Sequence, residues 1–303
     1  MAEITYDRAT QALLLSPANL QLGVVSATSG GAHNFVADAS FTTKLDFKEI
    51  KVGYPARTIS AVVSKYGATA SLNTRDMVAA KSLLGTIAAS TIALGPPSTT
   101  LSLVTHAPAG TGLTLSLASP VLLQQFSISG TQDDFHAIQF EYEAAGSIAG
   151  TSPTWADFIT VTSVGSGGTF LPSANPAVMG LGMPRITVGG ASLGAIQGFS
   201  LQLSSEYKKH ESGFPAVVAG IYTLSHSLTL SVEAEEFGTK FNYPSGTELD
   251  VSVTIGYGSG SITISFTAVA SGTAAKLSPG NFSTASMSFI GIAPAAGQLF
   301  TVT

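Results

Sequence analysis

One short stretch of the chain occurs twice. Gly53-Tyr54-Pro55-Ala56 returns 160 residues later as Gly213-Phe214-Pro215-Ala216. Sliding the sequence along itself by that distance sets Phe47-Lys48 on Tyr207-Lys208, Thr69 and Ser71 on Thr229 and Ser231, and Leu72 on Val232. Asp76 and Met77 then fall on Glu236 and Phe237, with no gap. A second block matches at an offset near 149: Leu113, Leu115 and Leu117 fall on Ile262, Ile264 and Phe266, while Ile138, Phe140 and Ala144 fall on Met287, Phe289 and Ala293. Upstream, Ser16-Pro17-Ala18-Asn19 echoes Ser173-Ala174-Asn175. The matches are colinear, so whatever fold the first half adopts, the second half must adopt again. Two copies are too few for a solenoid. The expected organisation is a first β-domain over residues 1–148, opening with an N-terminal arm over 1–18, then a connector over 149–176 and a second, similar β-domain over 177–303.

Each copy reads as antiparallel sheet. Leu113, Leu115 and Leu117 alternate with Thr and Ser, as do Leu228, Leu230 and Val232, Leu249, Val251 and Val253, and Ile262, Ile264 and Phe266. The run from Ile138 to Glu143 alternates strictly. Period two with one apolar face marks half-buried strands. Breaks such as Gly256-Tyr257-Gly258-Ser259-Gly260 suit tight hairpins, because Gly reaches positive φ without strain. The expected class is all-β: two tandem antiparallel domains of sandwich or barrel type, with one short flanking helix. That helix is expected over residues 73–85, capped by Asn73 or Thr74, with Met77, Ala80, Leu83 and Leu84 on one face and Gly85 as its stop. Residues 233–238 read as a shorter counterpart.

Charge narrows the functional classes. Only 10% of residues are charged, against about 25% in ordinary soluble domains. Little of such a surface is solvated by charge, so copies of the chain are expected to cover it. The net charge of −5 argues against gripping duplex DNA through phosphates, which needs clustered Lys and Arg. The absence of Cys excludes disulfides and thiolate chemistry. The N-terminal run lacks the pattern of a signal peptide, and no stretch approaches 18 uninterrupted apolar residues, so no membrane span is expected. The expectation is a soluble protein made in the cytoplasm.

The scarce charge is concentrated. Lys44, Lys48, Lys51, Arg57, Lys65, Lys208 and Lys209 lie in or beside the two equivalent hairpins and make up seven of the 13 basic residues. Asp46, Glu49, Glu206, His210 and Glu211 lie among them. Mixed charge kept in both copies, on an otherwise Ser-, Thr-, Gly- and Ala-rich chain, points to hairpins that dock on another subunit. The residues expected to carry that contact are Lys48, Lys51, Tyr54, Pro55, Arg57, Lys208, Lys209, Glu211, Phe214 and Pro215. A solvated loop is the plain alternative.

With these features the chain resembles the major tail tube proteins of long-tailed bacteriophages. The likeness rests on the charged hairpin over residues 44–65, the strand from Thr69 to Leu72, the helix that follows and the later alternating strands, and the duplication extends it over nearly the whole chain. The resemblance implies a structural virion protein, not an enzyme. It implies trimeric rings with pseudo-six-fold symmetry that stack into a tube, with the hairpins reaching the next ring. The implied partners are other copies of the chain, other tail proteins, and genome DNA that passes through the bore without specific binding. The implied location is the virion tail.

Two other classes compete. A baseplate, spike or adhesin module would share the β-rich pattern. A serine hydrolase would use Ser192 in Gly190-Ala191-Ser192-Leu193-Gly194, but that motif needs a helix after it, and the following run reads as strand. The first-copy counterpart of Ser192 is Ala32. Asp133-Asp134 reads as a solvated turn, the five His show no metal-ligand spacing, and no cofactor is expected.

Overall fold

The computed structural model describes residues 20–26, 29–33, 36–74, 80–81, 84–85, 88, 99–105, 112–131, 137–145, 159–164, 184–213, 216–235, 246–256, 261–276, 284–293 and 297–303. They are nearly all β, and every pairing between strands is antiparallel. In the first half run β1 (Leu20–Ser26), β2 (Ser29–His33), β3 (Val36–Val52), β4 (Arg57–Thr74), β5 (Thr99–Thr105), β6 (Gly112–Thr131), β7 (Ala137–Ala144) and β8 (Ile159–Val164). The second half contributes β9 (Arg185–Val188), β10 (Ala191–Ser192), β11 (Ile196–Ser212), β12 (Val217–Ala234), β13 (Glu248–Ile255), β14 (Ile262–Lys276), β15 (Thr284–Ile292) and β16 (Thr301–Val302).

The alternation does what period two requires. Val251, Val253 and Ile255 of β13 face Ile262, Ile264 and Phe266 of β14 in the core. On the opposite face of the same pair, the Thr254 and Thr263 hydroxyls lie 3.1 Å apart. Burying each such apolar side chain contributes about 1.5–3 kcal/mol. Phe126 sits at the centre, 6.2 Å from the Phe140 ring and 5.9 Å from that of Phe300. Phe300 comes from the other half of the chain, and one apolar cluster spans both halves.

The order of strand pairing in the first half recurs in the second, and the two long hairpins match residue for residue. β3–β4 pairs Val36 with Thr74 and Val52 with Arg57, and β11–β12 pairs Ile196 with Ala234 and Ser212 with Val217. Both ladders slip in three places, at Val36/Asp38, Asp46/Phe47 and Ile50/Lys51 in one and at Ile196/Gly198, Glu206/Tyr207 and His210/Glu211 in the other. Each slip lies 160 residues from its counterpart. A bulge adds an unpaired residue and bends its strand, so the two hairpins bend alike. The turns agree as well: Gly53 and Gly213 sit at φ +84° and +81°.

The later strands correct the sequence alignment. β4 pairs Leu72 with Phe140, and β12 pairs Val232 with Met287. The bulge at Gln124, between Leu123 and Gln125, answers the one at Ser271, between Ala270 and Gly272. Phe140 therefore corresponds to Met287, and Ala144 to Gly291, at an offset of 147 rather than 149. The earlier offset holds for Leu117 and Phe266, which pair with Leu101 and Val251. The two-residue change falls where β6 carries extra chain opposite Thr99–Leu101. Packing agrees with the new alignment. Ala68 pairs with Ala144, while a Cβ on Gly291 would meet the Leu228 side chain at 3.0 Å. The small–small pair of one half has become large–Gly in the other.

Two further expectations change. Asn73 and Thr74, read as helix caps, are strand residues paired to β7, and residues 75–79 lie outside the described residues. The described helical residues are Ala80, Lys81, Leu84, Gly85 and Ala88, with Ala80, Leu84 and Ala88 buried one turn apart. Gly85 does not stop the helix; Met77 and Leu83 lie outside the described residues. Glu233 and Ala234, read as a short helix, belong to β12. β8 lies within the span expected to be a connector, yet it pairs with β6 as β16 pairs with β14.

Candidate assembly interface

The hairpins outrun the sheet that anchors them. β4 pairs with β7 only over residues 68–74, and β12 pairs with β15 only over 229–234. The remaining length of each hairpin projects beyond those partners. The two halves then meet along one seam, where β6 pairs with β11 from Gln125↔Ser204 to Thr131↔Gly198. Phe126, Ile128, Leu201 and Leu203 are buried along it.

From that seam the second hairpin lies back over the first. The Ala216 N–H, just past its tip, donates to the Ser64 carbonyl of β4 at 3.0 Å. Lys65 of β4 pairs with Glu211 of β11 at 2.6 Å. Lys209 of β11 pairs with Glu143 of β7, whose other oxygen accepts from Gln124 at 2.6 Å. Lys209 and Glu143 are largely buried, so this pair is screened far less than a surface one. Within the second hairpin, Ser205 and the His226 Nδ1 lie 2.8 Å apart, and the Tyr207 ring meets His226 edge-on. Burial holds the His226 imidazole below its ordinary pKa and the Tyr207 phenol above its own.

The first hairpin has different surroundings. Tyr54, at its tip, is fully exposed, and Phe47, Ile50, Val52 and Ile59 are exposed as well. Its charges pair along its own edge: Lys51 with Glu49 at 3.0 Å and Lys44 with Asp46 at 3.4 Å. The Thr58 hydroxyl also donates to Glu49. The Lys51 contact, seconded by Thr58, lowers the Glu49 pKa.

Of the residues expected to form the contact, Lys209 and Glu211 are engaged within the chain. Lys48, Arg57 and Lys208 are exposed and join no ion pair among the described residues. Tyr54 and Pro55 form the tip, while Phe214 and Pro215 lie outside the described residues. Sequence reasoning missed Glu143 as a partner. It also missed a patch on the second half, where Tyr222, Leu224 and Ile290 are exposed. A signal was present: Tyr222 and Leu224 continue the even-numbered apolar phase of Leu228 and Leu230 past the end of the core.

The Gly190–Gly194 motif forms no nucleophile elbow. Gly189 and Gly190, both at positive φ, make the two-residue turn between β9 and β10, and the chain continues from Ser192 into strand β11. Asp133 and Asp134 lie outside the described residues. No protein-family model and no curated protein matches the chain.

Proposed function

We propose that the protein is a structural subunit of a hollow tube, a phage tail tube, in which copies join into rings and rings stack around a bore that carries DNA. The observation that carries this reading is the repeated strand framework, with one hairpin per half running past its sheet. Two like units side by side in one chain are an arc of a larger closed array. Two tandem domains of tail-tube type, three chains to a ring, would supply six similar positions. Their hairpins would lean one on the next, as the second already leans on the first, and form a collar beyond the rim. Exposed Tyr54, Ile50 and Ile59 on that collar offer the next ring apolar contact at sites a monomer would rarely leave open. Few Lys and Arg and a net charge of −5 suit a wall that DNA passes without being held.

Electron microscopy of concentrated protein tests the reading: tubes or stacked rings are expected. The Tyr54→Ser/Phe214→Ser variant should keep its circular dichroism and thermal midpoint but lose the tubes. Tubes of normal length from that variant would reduce the hairpins to surface loops, and wild-type protein that stays monomeric at every concentration would overturn the proposal.

A further inference from the structure

The seam between β6 and β11 uses one edge from each half, and the repeat carries both edges a second time. Counting by the strand registers, the β11 edge at residues 200–204 corresponds to β3 at 40–44, and the β6 edge at 125–129 corresponds to β14 at 272–276. Neither of these counterparts joins the two halves among the described residues. Among the described residues β3 pairs only with β4, and β14 beyond Ala270 pairs only with β15. Ser40, Thr42, Thr43, Lys44, Gly272, Thr273 and Ala274 are exposed, and Thr43 and Thr273 stand at the places where Leu203 and Phe126 are buried. A bare edge presents a row of free backbone donors and acceptors to any strand that fits.

We infer that β3 of one copy pairs antiparallel with β14 of another in the register of the internal seam, from Lys44↔Gly272 to Ser40↔Lys276. The occupant is a second copy of this chain, because the two edges are counterparts of two edges already joined. They lie on opposite halves, so the contact is head-to-tail and leads to a ring or an open filament, not to a two-fold dimer. The same placement sets Ala56 of the incoming copy over the Leu224 carbonyl, as Ala216 lies over that of Ser64. There it meets Tyr222, Leu224 and Ile290. The exposed apolar patch is thereby covered, at the positions where the internal seam uses Ser64 and Glu143. The new seam is lighter than the internal one: Thr43 and Thr273 stand for Leu203 and Phe126. Small polar residues and Lys on open edges resist indiscriminate pairing, and here they leave a joint that forms between copies only in the right register.

The inference rests on the repeated framework and shares ring formation with the tube reading, but not stacking. The chain has no Cys, so cross-linking is clean. Thr42→Cys/Ala274→Cys is the in-register pair, and Lys44→Cys/Gly272→Cys is a second, with open space for a Cβ at Gly272. Thr42→Cys/Thr273→Cys is the control one residue out of register, which points the two thiols to opposite faces. Under mild oxidation both in-register variants should give a ladder of reducible oligomers on a denaturing gel, in about tenfold greater yield than the control. Equal yields, or no ladder from either in-register variant, would overturn the register. Tubes seen by microscopy without a ladder would sink the seam and leave the tube standing. Cross-linked rings that never stack would sink the tube and leave the seam.

Discussion

The two hairpins share their bends, their turn glycines and their length, yet their neighbours differ. The β11–β12 hairpin lies on β4 and β7, held by Ala216–Ser64, Lys65–Glu211 and Lys209–Glu143. The β3–β4 hairpin, its counterpart, pairs Lys44 with Asp46 and Lys51 with Glu49 within β3 and exposes Tyr54 and four other large apolar residues named above. The difference is one of neighbours. The chain supplies a first half for the second hairpin to lie on; in the proposed assembly another copy supplies a second half for the first. Their residues have diverged accordingly. Where the second hairpin pairs Ser205 with His226, the first pairs Leu45 with Tyr66.

The comparison breaks first at the seams. Phe126→Ala should cost about 3–5 kcal/mol, since it empties a fully buried site between Phe140 and Phe300. Thr273→Ala, at the exposed counterpart, should stay within about 0.5 kcal/mol. Both are read by denaturant unfolding of the unassembled protein, and similar losses would mean that the two edges are not in different states.

A smaller contrast lies in the ion pairs. Glu143→Ala strands the largely buried Lys209 and should cost about 1–3 kcal/mol. Glu49→Ala leaves Lys51 in water and should not change the unfolding midpoint measurably. A Glu143→Ala protein as stable as the parent would show that the second hairpin is not held by this contact.

The weakest effect is on pH. The folded-state pKa of His226 lies below its ordinary value of 6.5 because the ring is buried beside Ser205 and Tyr207. The unfolded chain therefore binds the proton more readily, so this contribution is fully present above about pH 6.5 and declines as the pH falls toward the folded-state value. Amide protection, taken relative to the intrinsic exchange rate at each pH, should fall in the second hairpin on acidification, while the first, with Tyr66 at the same place, shows no such step. His226→Tyr should remove it. A step of equal size in both hairpins would assign it to other groups.

Much of this was legible locally. The repeat, the alternating strands and the paired turns at Gly53 and Gly213 each have a signature within a few residues, because side-chain period and positive φ are local constraints. The hairpins were found as charged segments for the same reason. Their partners were not, since Glu143 meets Lys209 only after β7 and β11 have come together. The alignment slipped by two residues for a related cause: a shift of two keeps every side chain on its own face, so the apolar pattern cannot tell Phe140 on Phe289 from Phe140 on Met287. Asn73 and Thr74 read as good caps in isolation, yet they pair as strand between β3 and β7, a pairing that no local signal announces.

The sequence by itself determined that this is a β protein written twice, with a hairpin in each half. Only the tertiary structure decided which edges of the two halves meet and which stay open. Strand pairing is made by backbone groups that every residue carries, so its partners are chosen by the shape of the assembled core and not by letters along the chain.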